Sequence, residues 1–196
     1  NGAGKTTLLR ILASLLRPSS GRVSVLGAEL PREAWRVRGR IGLLGHEPLL
    51  YRELSVRENL DFNARLHRIE APAQRISALI EAVGLGRRGD ELVRNLSAGM
   101  RQRAAICRAV LHRPELLLLD EPGSHLDPAA RRLADSLTGA ASGRTRVLVT
   151  HELEDALATA ELALVLQADG GVAYAGPASD IAPAAVREVF GAGVVR

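Results

Sequence analysis

An α/β fold on a parallel sheet, with an inserted helical subdomain, is what this 196-residue sequence predicts. Three observations carry the prediction. Strand-like and helix-like segments alternate along the chain. Two short apolar runs, "LLLLD" at 116–120 and "TRVLVTH" at 145–151, read as strands of a sheet covered on both faces. From about residue 52 to 112, helical patterns follow one another with few strands among them.

Taken in order, "NGAGKTTLLRILASLLRP" puts Leu8, Leu9, Ile11, Leu12, Leu15 and Leu16 at helical spacing, with Pro18 as the expected stop. "RVSVLG" and "RIGLLG" read as strands. "ELSVRENLDFNARL" opens a helix with a capping box, Ser55 and Glu58. "APAQRISALIEAVGLG" is a further helix, closed by Gly84 or Gly86. "LSAGMRQRAAICRAVLH" is another, halted before Pro114. "ELEDALATA" reads as a helix after the second apolar strand. "LALVLQADGGVAYAG" reads as an antiparallel hairpin turning at Asp169-Gly170. The expected organisation is one domain over 1–196, with a core of 1–47 and 113–196 and a helical subdomain of 48–112. No internal repeat or low-complexity linker interrupts it.

Composition narrows the function. An apolar content of 46% can build a core, but no apolar run is long enough to span a membrane. The single Cys107 excludes an internal disulfide and reads as a small buried side chain. The net charge of +4 could suggest nucleic acid, yet the cations are interleaved with 22 acidic residues and only five aromatics exist for stacking. No nucleic-acid partner is expected. Solvated faces are expected instead, one of them toward anionic lipid headgroups. The first methionine is Met100, so the chain is expected to be part of a longer protein.

"NGAGKTT" carries the first chemical signal. Lys5 is the only lysine beside 25 arginines. The pattern G-x-x-x-x-G-K-[ST] wraps backbone N–H groups around phosphates at a helix start. Gly2 and Gly4 let the backbone approach, and Asn1, Ala3 and Thr7 complete the loop. Lys5 supplies a compact point charge where arginine's planar fork would not fit. Thr6 would offer its hydroxyl to Mg2+. The pattern's first glycine would stand before Asn1.

"LLLLDEP" carries the second signal: an apolar strand ending in two carboxylates, where open parallel sheets bind ligands. Asp120 can reach Mg2+ through water and Glu121 can polarise an attacking water. His151 follows the next strand and could hydrogen-bond a γ-phosphate. Ser97, at a helix start 23 residues before Asp120, is by itself an N-cap.

In this order and spacing, "NGAGKTT", "LSAGMRQR", "LLLLDEP", "SHLD" and "VTH" resemble the ATP-binding subunit of ABC transporters over nearly the whole chain. The resemblance implies a P-loop NTPase core of the RecA-like kind. It implies a peripheral ATPase at the cytoplasmic face of the membrane, bound to a membrane-spanning subunit. A second ATPase subunit would join head to tail, in a homodimer that sandwiches two ATP. Ser97, Ala98, Gly99 and Met100 would then grip the ATP held by the partner. Asp127 would lie in the loop that communicates between the sites. Glu121 would be the general base and His151 the switch histidine. Ala98 and Met100 depart from the family's usual L-S-G-G-Q, though Ala98 keeps its amide. His46, followed by Glu47, stands where the coupling loop usually carries Gln, and it could coordinate Mg2+ or hold a nearby water. The family's adenine-stacking aromatic and the strand feeding the loop are expected upstream of Asn1.

Within the family, "GHEPLLYRELSVRENLDFNARL" resembles exporter ATPases. It is most similar to the haem exporter of cytochrome c biogenesis, where G-H-x-P often replaces P-Q-x-P. A drug- or lipid-type exporter is the alternative. Leu49, Leu50 and Tyr51 would offer the membrane subunit an apolar socket. Non-transport relatives fit less well. Chromosome-type ATPases insert long coiled coils where only 92 residues separate Lys5 from Ser97. A translation-linked ATPase would pair two such domains in one chain. A binding-only regulator would not need Glu121 and His151.

Overall fold

The structure, a computed structural model, describes residues 2–191; Asn1 of the phosphate loop lies outside the described residues. Along the chain run α1 (Lys5–Leu12), β1 (Val23–Val25), β2 (Ala28–Leu30), β3 (Ile41–Leu44), α2 (Val56–Leu66), α3 (Ala73–Ala82) and α4 (Ala98–Val110). They are followed by β4 (Leu116–Asp120), α5 (Pro128–Thr138), β5 (Thr145–Val149), α6 (Leu153–Thr159), β6 (Leu162–Leu166), β7 (Val172–Pro177) and α7 (Pro183–Gly191).

β4 is the central strand, and all five of its residues are buried. It pairs in parallel with β3 on one edge and β5 on the other. Alternation along the strand divides its leucines between two layers. Leu117 and Leu119 enter one core with Leu60, Ile76, Ile80 and Ile106 from α2, α3 and α4. Leu116 and Leu118 enter a second core with Leu9 of α1, Val25, Leu30, Val37 and Ile41. This two-sided burial explains an unbroken apolar run.

Close approach of α4 to the sheet requires Gly42. A Cβ there would come within 2.3 Å of the Ala109 carbonyl oxygen and 2.8 Å of side-chain atoms of Leu117 and Pro114. Only glycine admits the helix at this distance. The helix starts follow their sequence signals. Ser55 and Glu58 form the capping box of α2, and Ser97 caps α4 through the Met100 amide. Gly84, at φ 68°, closes α3. The hairpin β6–β7 is antiparallel as expected.

Two expectations need correction. The first helix does not run to Pro18; it stops at Leu12. The chain turns at Ser14 (φ 59°), where the Leu15 amide donates to the Arg10 carbonyl instead of continuing the ladder. Leu15 and Leu16 are therefore exposed rather than part of a helix face. β5 is also not covered like β4: Thr145 is exposed and residues 146–149 are half-buried. It is an edge strand among the described residues, so its apolar side chains gain less shelter.

Candidate nucleotide site

The phosphate loop leads directly into α1. Gly2 (φ 92°) and Gly4 (φ 84°) both sit in the left-handed region, and Gly4 is the N-cap of the helix. A side chain at either would strain the turn that aims the first amides of α1 outward. Lys5 and Thr6 are the first residues of that helix.

The Thr6 hydroxyl donates to Asp120 Oδ2 at 2.8 Å, which ties the start of α1 to the end of β4. Asp120 itself is only 6% exposed. Thr6, Asp120, His46 and Glu47 all line one cleft of about 280 Å³, whose apolar side includes Leu9, Leu15 and Leu16. Three oxygen- or nitrogen-bearing side chains expected at Mg2+ thus share one cavity. No cluster of three or more His, Cys, Asp or Glu that could cage a metal exists among the described residues. A hydroxyl and one carboxylate suit Mg2+ that arrives with phosphates and keeps several waters.

Glu121 and His151 meet one strand-end further on. His151 Nδ1 lies 2.8 Å from Glu121 Oε2, with the imidazole largely exposed. Glu121 holds φ 50°, a left-handed conformation uncommon outside glycine, and is one of eight such non-glycine residues among the described ones. Its amide donates to the Val149 carbonyl, which fastens the loop after β4 to the end of β5. Neither residue lines the Thr6–Asp120 cleft.

The signature segment is elsewhere. Ser97, Ala98, Gly99 and Met100 line a separate pocket of about 380 Å³ with His125 and Asp127. The two cavities share no lining residue. Gly99 lies against the loop after β4, and a Cβ there would stand 2.7 Å from the His125 carbonyl oxygen. Ser97 Oγ accepts from the Met100 amide, which leaves its own hydrogen available to donate. The Asp127 carboxylate caps α5, accepting from Ala129 and Ala130. The N–H groups of Ala130 and Ala129 hold its carboxyl below the usual range.

The sequence model of the ABC transporter family matches residues 1–124. The chain belongs to the ABC transporter family. A solved structure described as an ATP-binding subunit of an ABC transporter superposes with a TM-score of 0.83 at 29% identity, over 100% of this chain and 80% of that one. The fold is therefore the P-loop α/β core of an ABC ATPase. Daunorubicin resistance ATP-binding protein DrrA3 of Streptomyces coeruleorubidus is 43% identical over 92% of this chain and 58% of that protein. Nod factor export ATP-binding protein I of Cupriavidus metallidurans is 41% identical over 80% of this chain and 53% of that protein. Bacitracin transport ATP-binding protein BcrA of Bacillus licheniformis is 43% identical over 70% of this chain and 46% of that protein. This ABC chain thus spans about half the length of the curated relatives it matches. None of these three relatives is named as a haem exporter.

Around this ABC site the structure adds residues that sequence reasoning passed over. Gln102 of α4 donates to the Pro122 carbonyl, tying the signature helix to the Glu121 loop. Arg131 of α5 pairs with Glu152 at 2.6 Å and reaches the Gly123 carbonyl, so it bridges the loops of Glu121 and His151. Arg108 binds two carbonyls flanking His46. Its signal was present in "AAICRAVL", a cation set in an apolar helix run. Of the expected apolar socket, Leu49 and Tyr51 are exposed, but Leu50 packs against the helical core.

Proposed function

We propose that this chain binds ATP with Mg2+ and hydrolyses it to drive a drug- or lipid-type exporter. The observation that carries the reading is the 2.8 Å bond between Thr6 of the loop and Asp120 of the apolar strand. It brings together a hydroxyl and a carboxylate that a phosphate-bound Mg2+ would use. Lys5 and the amides after Gly4 would bind the phosphates, and Thr6 and Asp120 would hold the Mg2+. His46 is a softer ligand than Mg2+ prefers, so it would hold a water instead. When bound, Mg2+ shields the phosphate oxygens. Glu121 would orient and deprotonate the attacking water, and His151 would keep that carboxylate in place and reach toward the γ-phosphate.

The separate signature pocket supports a head-to-tail homodimer. A chain whose Ser97 and Gly99 lie away from its own loop can serve a phosphate held by a second copy. No helix among the described residues is long and apolar enough to cross a membrane. We place the chain at the cytoplasmic face, held by a membrane-spanning subunit that docks near exposed Leu49 and Tyr51.

The exporter class rests on the relatives named for drug resistance, bacitracin transport and Nod factor export. A second reading, the haem exporter of cytochrome c biogenesis, rests on the stretch Gly45-His46-Glu47-Pro48. Growth of the host with and without the gene, on a panel of amphipathic drugs, separates the two. The proposal expects drug sensitivity in the deletion strain and normal covalent haem in its c-type cytochromes. Lost covalent haem with unchanged drug tolerance would favour the second reading.

A further inference from the structure

Five arginines among the described residues bind main-chain carbonyls rather than carboxylates, and three of these, on α3 and α4, reach beyond their own helix and its cap. Arg75 of α3 caps the end of α4 at Val110 and Leu111. Arg103 of α4 reaches Val83 and Gly84 after α3. Arg108 of α4 donates through Nη2 to the Leu43 carbonyl at 2.7 Å and through Nε to the Pro48 carbonyl at 3.3 Å. The first two stitch helix to helix. Only Arg108 reaches the segment that borders the Thr6–Asp120 cleft.

Its two acceptors bracket His46 and Glu47. One guanidinium therefore clasps both ends of the segment 43–48 and sets the path of the residues between. Arg108 forms no ion pair among the described residues, and burial pulls its pKa down to about 10, so it stays charged. An uncompensated cation in such a place is costly. What it offers is a planar fork that meets two carbonyls at fixed spacing. Arg108 also stands on the helix whose other end is the signature. The 11 helical steps from Ser97 to Arg108 span about 16 Å. Near the same end of the helix, His112 Nε2 donates to the Ile41 carbonyl at 3.0 Å, so α4 is fixed to β3 twice.

We propose that Arg108 is a positioning residue that locks the segment 43–48 to the signature helix, so that the two move as one body. This rests on the ATPase reading above. When the signature helix shifts, His46 and the exposed Leu49 and Tyr51 would be carried with it. Loss of the clasp leaves the phosphate loop intact and loosens the link between nucleotide and membrane subunit.

The test uses the full-length protein assembled with its membrane subunit, in four forms: wild type, Arg108→Gln, Arg108→Lys and Arg75→Gln. Glu121→Gln runs beside them. In Arg108→Gln the KM for ATP should stay within about twofold while kcat, and its stimulation by the membrane subunit, fall about tenfold. Arg108→Lys keeps the charge but not the fork, and should lose stimulation in the same direction while folding normally. Arg75→Gln loses as many carbonyl bonds away from the cleft. It should lower the melting temperature and leave kcat and stimulation alone. Wild-type stimulation in Arg108→Lys, or Arg108→Gln behaving like Arg75→Gln, would overturn the proposal. If Glu121→Gln also turned over normally, the fault would lie with the ATPase reading rather than with Arg108.

Discussion

His151 Nδ1 lies 2.8 Å from Glu121 Oε2. The pairing follows from the sheet: Asp120 and Val149 are register partners on β4 and β5, so the residues just beyond them emerge side by side. The contact gives the imidazole a way to orient the carboxylate. His151→Ala should therefore keep ATP binding and lose about 10²-fold or more in turnover. Phosphate release with saturating ATP measures it. Undiminished turnover would remove His151 from the site.

Lys5→Arg should act as a loss of function. Gly2 and Gly4 form a tight left-handed turn around the position, and a planar guanidinium is wider than an ammonium. Nucleotide titration and turnover of the full-length protein report on it. Near-normal values for the arginine variant would reject the phosphate-loop assignment.

Gly99→Ala should be poorly tolerated, because its Cβ would meet the His125 backbone oxygen at 2.7 Å. Overpacking of this kind costs about 1–3 kcal/mol, and here it would also push the signature away from Asp127. Ala98→Gly, which restores the family's usual residue, should leave turnover nearly unchanged. Thermal melts and phosphate release on both variants check this. A Gly99→Ala protein as stable and active as wild type would show that the loop after β4 gives way freely.

The stacked rings of His67 and His112, with centroids 3.9 Å apart, predict a pH-dependent stability. Burial pushes His112 down to about 4, with His67 and Arg108 adding like-charge repulsion. His67 is lowered by burial as well. The unfolded chain then binds more protons than the folded one below pH 6.5. This pair should cost no stability above that pH, and the fold should weaken progressively as pH falls from about 6.5 toward 4. Denaturant titrations across that window, on wild type and His112→Asn, measure the slope. An equal slope in the variant would contradict the assignment.

Much of this was readable from local signals. The capping box of α2, the run of β4 and the hairpin at Asp169-Gly170 are short-range patterns, and each gave its element. The pairing of Thr6 with Asp120 and of Glu121 with His151 joins candidate residues that the sequence singled out from loop and strand-end chemistry. What was not legible depends on contacts distant in sequence. Leu15 and Leu16 keep helical spacing, yet the turn at Ser14 leaves them outside α1. β5 has the composition of a covered strand, but burial is set by its neighbours. Arg108 stood out as a cation within the apolar run "AAICRAVL", but its acceptors at Leu43 and Pro48 became visible only with α4 laid against β3. β2 is too short to single out in advance, whereas α5 had a start signal in Asp127-Pro128 that was passed over.

On the reading proposed above, two copies of this chain close around ATP, each signature serving the other's phosphate loop. Glu121→Gln tests it most directly, since it removes the base while keeping the shape of the site. The full-length variant should bind ATP, lose about 10²–10⁴-fold in hydrolysis and run as a stable dimer on size exclusion with ATP and Mg2+. It should return to monomer when either is withheld. A monomer under all conditions with wild-type turnover would contradict the account.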